Sequence, residues 1–322
     1  MRAAVAVAQS AEDPLAGLAL VEDHPRPAPR PGWTRIRVHA ASLNPHDVWT
    51  LRGVGHPAER IPIVLGCDAS GVTEDGREVV VHPVSGDPSR GDVTLDPRRA
   101  ILSETFDGGL ADELIVPDEM LVDKPAEISH VDAAALGIVW GTAYRMLFTR
   151  AGLAPGHRVL VQGGAGGVGS ASIALARAAG AVVYATARTA EKREFAAAQG
   201  AHVALEPGAR LPERVDVVID TVGEATWAHS MRSVRPGGVI ATCGATTGGM
   251  PPAELQRVFY QQLSIVGSTG CTLAEFEAML RMVTATGLRP ATETLAFDEV
   301  PAGYARLDAG DVRGKLVVDF TR

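Results

Sequence analysis

The apolar and polar positions of this sequence follow two different patterns, which meet near Ser129. Before that point, short apolar runs alternate with stretches rich in polar residues, proline and glycine, which is typical of short β-strands. The predicted strands are Arg2–Ala8, Leu18–Val21, Thr34–Ala40, Gly71–Thr73 and Glu78–His82. The prolines of segment 25–32 exclude it from a helix or a central strand, and the polar segment 85–99 is predicted to form a surface lobe. This part of the chain favours a small barrel-like β domain.

After Ser129, apolar runs of strand length alternate with helical patterns. The predicted helices are Asp132–Leu136, Thr142–Arg150, Ser170–Ala179, Ala190–Gln199, Ala225–Ser233 and Thr272–Thr286. The predicted strands are Arg158–Gln162, Ala181–Ala187, Val215–Thr221, Val239–Cys243, Leu263–Gly267 and Lys315–Phe320. A turn is expected at residues 236–238, where proline precedes two glycines. The alternation predicts an α/β fold with a doubly wound parallel sheet and right-handed crossovers.

A glycine-rich turn, Gly163–Gly169, separates one predicted strand from the alanine-rich helix Ser170–Ala179. Gly164, Gly166 and Gly169 fit the pattern G-x-G-x-x-G in the strand–turn–helix context of a dinucleotide site. We expect Gly164 to permit the tight turn, Gly166 to let the backbone approach a pyrophosphate, and Gly169 to let the helix pack closely. The helix N-terminus would then hold the anion. An ordinary glycine turn is the alternative, which the surrounding pattern disfavours.

The residues after this turn indicate which dinucleotide binds. An NAD site usually carries an acidic residue about twenty positions after the glycines, which holds the ribose hydroxyls. No Asp or Glu occurs between Gly169 and Glu191, whereas Arg188 and Lys192 are available as donors to a 2′-phosphate. The sequence therefore predicts NADPH. The alternative is that both basic residues are solvated at a helix start.

Composition narrows the function classes. The chain has 322 residues, 46% of them hydrophobic and 21% charged, which suits a globular protein of two domains. The net charge of −8 disfavours a nucleic-acid surface and a basic membrane-binding face. The apolar N-terminal run is too short for a signal peptide, and no apolar run has transmembrane length. We therefore expect a cytoplasmic protein.

Several motifs together resemble the medium-chain dehydrogenase/reductase superfamily, and within it the zinc-independent quinone oxidoreductases related to ζ-crystallin. These motifs are Ala41–Asp47, Leu65–Gly71, Ala133–Leu136, Thr142–Tyr144, Gly163–Gly169, Asp220–Gly223 and Gly314–Lys315. The resemblance implies a Rossmann dinucleotide-binding domain over 125–268. It also implies a GroES-like catalytic domain formed by 1–124 and 269–322, and a homodimer that pairs sheet edges near Leu263–Gly267.

The resemblance also implies the site residues. The expected cofactor-binding residues are Asn44, Thr142, Gly164, Gly166, Gly167, Val168, Arg188, Lys192, Val222 and Gly244. The expected catalytic residues are His46, as a proton relay, and Asp47, which would orient the loop or the cofactor. A polar loop histidine is the alternative for His46. Asp68 is expected to pair with Lys315, and Trp49 and Trp140 are either pocket walls or core.

No metal is expected. In zinc-containing relatives, three ligands fall at the positions of Asn44, Cys67 and Ile138, and isoleucine cannot bind a metal. The lobe 85–99, which holds a second zinc in those relatives, contains no cysteine here. The other two cysteines, Cys243 and Cys271, are too distant in sequence to suggest a disulfide framework.

Without a metal to polarise a carbonyl, hydride transfer favours substrates that conjugation already activates: quinones, enones or enoyl thioesters. The sequence therefore predicts an NADPH-dependent, metal-free reductase of a quinone or an α,β-unsaturated carbonyl compound. The alternatives are an enoyl-thioester reductase of a biosynthetic pathway and a non-catalytic NADPH-binding scaffold. A zinc alcohol dehydrogenase is a further alternative, which the ligand positions disfavour.

Overall fold

Short strands dominate the first 138 residues of the computed structural model, which describes residues 1–87 and 89–322. The strands are β1 (Ala3–Ala6), β2 (Leu18–Val21), β3 (Trp33–Ser42), β4 (Ile63–Val64), β5 (Ala69–Thr73), β6 (Glu78–Val81), β7 (Val84–Ser85), β8 (Ala100–Ile101), β9 (Glu113–Pro117) and β10 (Leu121–Asp123). Two helices accompany them, α1 (Pro45–Arg52) and α2 (His130–Leu136). All five strands predicted in this region are present, with ends that shift by up to two residues.

From Ile138 onward, helices and strands alternate. They are α3 (Ile138–Tyr144), a π-helical stretch (Arg145–Arg150), β11 (Arg158–Val161), α4 (Gly167–Ala178), β12 (Val182–Thr186), α5 (Ala190–Ala198), β13 (Val203–Leu205), β14 (Val215–Asp220), α6 (Glu224–Ser233), β15 (Val234–Thr242), α7 (Leu255–Tyr260) and β16 (Ser264–Gly267). The remaining elements are α8 (Leu273–Thr286), β17 (Thr292–Leu295), α9 (Val300–Asp308) and β18 (Lys315–Asp319).

The chain divides into two compact units. The first unit combines Met1–Ile138 with Thr272–Arg322, and the second is the continuous segment Val139–Cys271. The predicted domain division, 1–124 with 269–322 against 125–268, has the same discontinuous order, and its boundaries stay a prediction.

The second unit contains a six-stranded sheet in which every strand pair is parallel. Its strand order is β13-β12-β11-β14-β15-β16, so the order reverses beside β11. Ligands of open α/β sheets bind at the carboxyl ends of the strands at such a reversal. The predicted parallel sheet is confirmed, and the glycine-rich turn follows the strand at the reversal.

The turn predicted at residues 236–238 is wrong in one respect. The structure makes these residues part of β15, which begins at Val234. Pairing with β14 passes from Val215↔Val234 to Val217↔Val239, so the extra residues form a bulge inside the strand. Gly237 has a φ of 71° there, and this conformation lets glycine open the bulge without ending the ladder.

The first unit is organised around β3. This strand pairs antiparallel with β5, β9 and β18 in a seven-stranded sheet. Ser42 pairs with Val317, and the Leu43 amide donates to the Leu316 carbonyl at 2.9 Å. The pairing places residues near the C-terminal end of the sequence beside the segment that follows β3. A large apolar core, which includes Ile36, packs against this sheet.

Among residues 1–87 and 89–322, no helix combines the length and the apolar character that crossing a bilayer requires.

Candidate active site

Helix α1 begins immediately after β3, and its first turn carries the residues predicted to be catalytic. Asn44 is the extended N-cap residue, and Pro45 occupies the first turn, where its missing N–H costs no hydrogen bond. Asp47 is fully buried; its two carboxylate oxygens accept the backbone N–H groups of Asn44 and Gly66, each at 2.9 Å. Burial raises the pKa of Asp47, although the charge of His46 and these two hydrogen bonds oppose the shift. Asp47 therefore fixes the start of α1 to the loop before β5.

Two buried charges lie beside this helix start. The Lys315 ammonium donates to the Leu43 carbonyl at 2.9 Å and to Asn44 Oδ1 at 2.5 Å, and it lies 3.4 Å from Asp68 Oδ2. The side chains of Lys315 and Asp68 are 4% and 0% exposed, so each charge depends on these partners. The expected Asp68–Lys315 pair is confirmed as a contact.

The Asp68 carboxylate accepts hydrogen bonds from three further donors. Its Oδ2 accepts from Ser42 Oγ at 2.6 Å and from Asn44 Nδ2 at 2.7 Å, and its Oδ1 accepts from the Ile138 amide at 2.5 Å. Gly137 permits the last contact, because a Cβ there would lie 2.0 Å from Asp68 Oδ1. The oxygen and the nitrogen of the Asn44 side-chain amide are thus both hydrogen-bonded to buried charged groups.

The three positions that ligate zinc in some relatives do not fit a metal here. The Asn44 amide is committed to Lys315 and Asp68, and the Ile138 side chain has no donor atom. Burial, with the charges of Asp68 and Asp47, raises the pKa of the Cys67 thiol well above its usual range, so the thiolate that a metal needs is disfavoured.

His46, Asp47 and Cys67 form another set, with ligand atoms within 4.8 Å of one another. Both Asp47 oxygens already accept backbone hydrogen bonds, and Cys67 is held as a neutral thiol. This set does not fit a metal either.

His46 forms an ion pair that the sequence did not indicate. Its Nε2 lies 3.0 Å from Glu104 Oε1, and both side chains are largely buried. Burial lowers the pKa of His46, but the Glu104 hydrogen bond and the nearby carboxylates outweigh it and raise the pKa overall. Burial raises the pKa of Glu104, and its bonds to His46 and the Ile101 amide outweigh that effect and lower it. His46 is therefore stabilised as a proton donor, while Glu104 lies 58 residues along the chain from it, with no local motif to mark it.

The glycine-rich turn in the second unit has the predicted strand–turn–helix context. Within the turn, Gly163 has the left-handed conformation, with a φ of 68°. Gly164 is needed for another reason: a Cβ there would lie 3.0 Å from both Ala185 Cβ and Ile173 Cδ1. A Cβ on Gly169 would lie 2.3 Å from the Gly163 carbonyl oxygen, so the missing side chain lets α4 pack closely against the turn.

Gly166 is the position where the backbone is open. A Cβ there would meet no described atom outside its chain neighbours closer than the Gly163 carbonyl oxygen at 3.7 Å. Gly166 is the N-cap of α4, so the helix starts at Gly167, three residues earlier than predicted, and includes Val168. The free N–H groups of this first turn favour an anion.

Two other predicted cofactor residues, Val222 and Gly244, follow the carboxyl ends of strands. A Cβ on Gly163 would lie 3.1 Å from Val222 Cγ2, so Val222 borders the turn. A Cβ on Gly244 would lie 3.1 Å from the Thr221 carbonyl. Thr142 is buried within α3, and Asn44 belongs to the first unit together with His46 and Asp47. Trp140 is buried and Trp49 is half-buried.

Arg188 and Lys192 flank the start of α5. Arg188 is exposed directly after β12, and Thr189 caps the helix by accepting from the Lys192 amide at 3.3 Å. The neighbouring Arg193 donates to the Arg188 carbonyl at 3.2 Å and pairs with Glu206 at 3.3 Å. Arg193 therefore fixes the loop that carries Arg188, and it pairs with the nearby acid Glu206.

A buried polar network joins the ends of three adjacent strands. Gln162, after β11, accepts from Thr186 Oγ1 at 2.6 Å and donates to His229 Nδ1 at 2.9 Å and Ser230 Oγ at 3.1 Å. Ser230 donates to Asp220 Oδ2 at 2.6 Å, and His229 Nε2 lies 2.9 Å from the Ala209 carbonyl. No sequence motif marks this network, because only the fold brings its members together.

Two domain descriptions match the sequence. Residues 30–126 match the alcohol dehydrogenase GroES-like domain, and residues 167–285 match the zinc-binding dehydrogenase domain. Among solved structures, an NAD-dependent alcohol dehydrogenase is 32% identical, with 99% of each chain covered and a TM-score of 0.92. The 2-octenoyl-CoA carboxylase reductase CinF, solved with NADP and 2-octenoyl-CoA, is 25% identical over 98% of this chain and 87% of its own, with a TM-score of 0.89.

Curated relatives extend these matches. A crotonyl-CoA reductase of Streptomyces avermitilis is 28% identical over 92% of this chain and 80% of its own. The 2-methylene-furan-3-one reductase of Solanum lycopersicum is 31% identical over 88% of this chain and 70% of its own. The parallel sheet, the glycine turn and these near-full-length matches agree: the chain belongs to the medium-chain dehydrogenase/reductase superfamily, whose members found in these comparisons are oxidoreductases.

Proposed function

We propose that this chain is an NADPH-dependent, metal-free oxidoreductase that reduces an α,β-unsaturated carbonyl compound or a quinone. The observation that carries the proposal is the first turn of α1. There, His46 is held as a proton donor, while the neighbouring Asn44 and Asp68 are committed to Lys315. A site of this kind can protonate an enolate but has no Lewis acid to activate an isolated ketone, so the substrate must be activated by conjugation.

In the proposed reaction, residues of the second unit bind the cofactor, and His46 of the first unit donates the proton. The glycine turn, with the open position at Gly166, would hold the pyrophosphate on the N-terminus of α4. Arg188 and Lys192 would bind the 2′-phosphate through charge-assisted hydrogen bonds. When bound, the reduced nicotinamide supplies the hydride. His46 then donates a proton to the enolate, and Asp47 keeps α1 in register with the loop that carries Gly66.

The names of several relatives support a conjugated carbonyl compound as the substrate. The names of two relatives specify a crotonyl thioester and a methylene furanone, and one related structure contains NADP and an enoyl thioester. An enoyl-thioester reductase is therefore the second candidate, while quinone oxidoreductases also occur among the relatives.

A substrate panel tests the proposal. Purified protein is mixed with NADPH and, in turn, quinones, enones, enoyl-CoA thioesters and simple ketones, and NADPH absorbance is followed. We expect turnover of at least one activated class and none of simple ketones, with turnover unaffected by a chelator. Gly166→Val, which fills the open backbone position, should abolish it. Tight NADPH binding without turnover of any activated carbonyl would support the scaffold alternative instead.

The cofactor preference has its own test. Arg188→Ala should weaken NADPH binding on the order of tenfold and leave NADH binding unchanged, because the loss concerns the 2′-phosphate alone. Arg214→Ala is the matched control: this exposed arginine directly precedes β14, at the amino end of the strand. Equal affinity of the unmodified protein for NADH and NADPH would contradict the assignment.

We also propose that two copies pair through β16. This strand is an edge of the six-stranded sheet, and Ile265 is 40% exposed on it. The preceding helix α7 exposes Leu255, Phe259 and Tyr260. An unpaired apolar edge is a template for a second strand. Sedimentation analysis should show a dimer that Ile265→Lys converts to monomer; a monomeric unmodified protein would contradict the proposal.

A further inference from the structure

The Glu104 side chain is more tightly fixed than an ordinary surface carboxylate. Its Oε2 accepts the Ile101 amide at 2.6 Å, and its own amide donates back to the Ile101 carbonyl at 3.0 Å. Between them, Ser103 is fully buried with a φ of 74°, a left-handed conformation that non-glycine residues seldom adopt. The Glu104 carbonyl also accepts from Arg60 at 3.1 Å. The turn therefore presents Oε1 in one fixed place, where it meets His46.

The two ring nitrogens of His46 are not equivalent. Nε2 is bonded to Glu104, whereas Nδ1 is buried and has no hydrogen-bond partner within residues 1–87 and 89–322. A buried polar atom without a partner calls for a specific explanation, and a catalytic role is one such explanation. In the imidazolium form both nitrogens carry protons, so Glu104 holds one proton and the Nδ1 proton is the one free to leave.

We propose that Glu104 is a positioning residue that holds the His46 ring by Nε2, so that the proton of the reduction step leaves from Nδ1. This inference rests on the proposed reductase function. The β-carbon of the conjugated carbonyl would accept a hydride, which a bound reduced nicotinamide dinucleotide would supply, and the electron pair of the C=C bond would move into an enolate. The Nδ1–H bond breaks as a bond from hydrogen to the enolate forms. His46 is left neutral, still bonded to Glu104 through Nε2–H, and regains its proton from water.

The charges that face His46 make the role of Glu104 measurable. Asp47, Asp68 and Glu104 favour the imidazolium, whereas burial opposes it. On the other side of Glu104 lie His56 and Arg60; burial and the charge of Arg60 lower the pKa of His56. Glu104→Gln keeps a hydrogen-bond acceptor for Nε2–H and removes the negative charge. It should therefore lower the pKa of His46 without displacing the ring.

The first readout does not depend on turnover. Nitrogen NMR of the unmodified protein should show the Nε2–H tautomer of neutral His46, and Glu104→Gln should shift the His46 titration to lower pH. Glu113→Gln is the matched control, because Glu113 is comparably buried in the same unit and pairs with Arg35. An Nδ1–H tautomer, or an unchanged titration in Glu104→Gln, overturns the proposal even if the enzyme is active.

The second readout is the pH dependence of turnover with a substrate that the unmodified protein reduces. His46 must be protonated to act, so activity falls as the pH rises through its pKa, and Glu104→Gln should move this fall to lower pH. At about pH 8, turnover should drop about tenfold or more while the KM for NADPH is unchanged. A uniform loss at every pH would reveal a merely structural role and overturn the proposal. If the unmodified protein reduces nothing while the NMR result holds, the reductase function fails and the Glu104–His46 pairing stands.

Discussion

Each unit of this protein buries a cluster of polar side chains, and the two clusters are built on opposite principles. In the second unit, Gln162, His229 and Ser230 use every side-chain nitrogen and oxygen in hydrogen bonds, and Asp220 accepts from Ser230. In the first unit, the opposite charges of Lys315 and Asp68 lie side by side, and a buried nitrogen of His46 has no hydrogen-bond partner among the described residues.

The difference distinguishes a cluster that supports the structure from one that can react. A fully satisfied network gains rigidity at little cost and offers no reactive group, which suits a scaffold beneath a cofactor-binding turn. A cluster of charges with one unsatisfied nitrogen is costly to bury but can move a proton. We therefore expect substitutions in the Gln162 network to change stability, and substitution of His46 to change turnover. Four predictions test this contrast.

The largest effect should come from Lys315→Met. It removes the ammonium and leaves the Asp68 carboxylate buried without its charge partner, so the free energy of unfolding should fall by about 3–5 kcal/mol. Denaturant titration measures the loss. Arg52→Met is the control, because the Arg52–Asp308 pair is partly exposed and should contribute less than about 1 kcal/mol. Adding Asp68→Asn to Lys315→Met should restore part of the loss, and no restoration would contradict the pairing argument.

His46→Ala should lower turnover on the order of 100-fold, which corresponds to about 2.7 kcal/mol of transition-state stabilisation. NADPH binding, followed by fluorescence titration, should be nearly unchanged. His39→Ala serves as a control, since His39 lies in the same unit on β3. Undiminished turnover of His46→Ala would remove this residue from the mechanism.

Gln162→Met should cost about 1–3 kcal/mol, because the Thr186 hydroxyl, the Ser230 hydroxyl and His229 Nδ1 each lose a partner. Thermal unfolding measures the loss. In the Gln162→Met variant, Thr186→Val should lower the free energy of unfolding by less than it does in the unmodified protein, because the hydroxyl has already lost its partner. A fully additive double variant would show that the network does not act as a unit.

The smallest effect concerns pH. Burial lowers the pKa of His229 below its ordinary value of 6.5, so its contribution to stability is present above about pH 6.5 and is lost as the pH falls through the pKa in the fold. The raised pKa of His46 acts in the opposite direction: its contribution is present below 6.5 and is lost as the pH rises through its value in the fold. His229→Gln should therefore flatten the loss of stability between about pH 7 and pH 5, and an unchanged slope would contradict this assignment.

Much of the fold was predictable, because periodic apolar patterns and glycine and proline signals are local. The six strands of the parallel sheet show the limit: five were predicted, and the short β13 was not. Helix α1 was also missed, although Asn44 before Pro45 at its start is a local signal for one. The contact between Glu104 and His46 could not be predicted, because it depends on long-range pairing rather than on sequence spacing.

The Lys315–Asn44 contact also has a consequence for how the protein is made. It joins residues 271 positions apart, and the whole second unit lies between them in sequence. During synthesis, the second unit has all of its strands before β18 leaves the ribosome, whereas Asp68 must wait for its cation. Until then Asp68 lacks the ammonium that lies beside it in the fold. We therefore expect the first unit to complete its fold only after Lys315 has been synthesised.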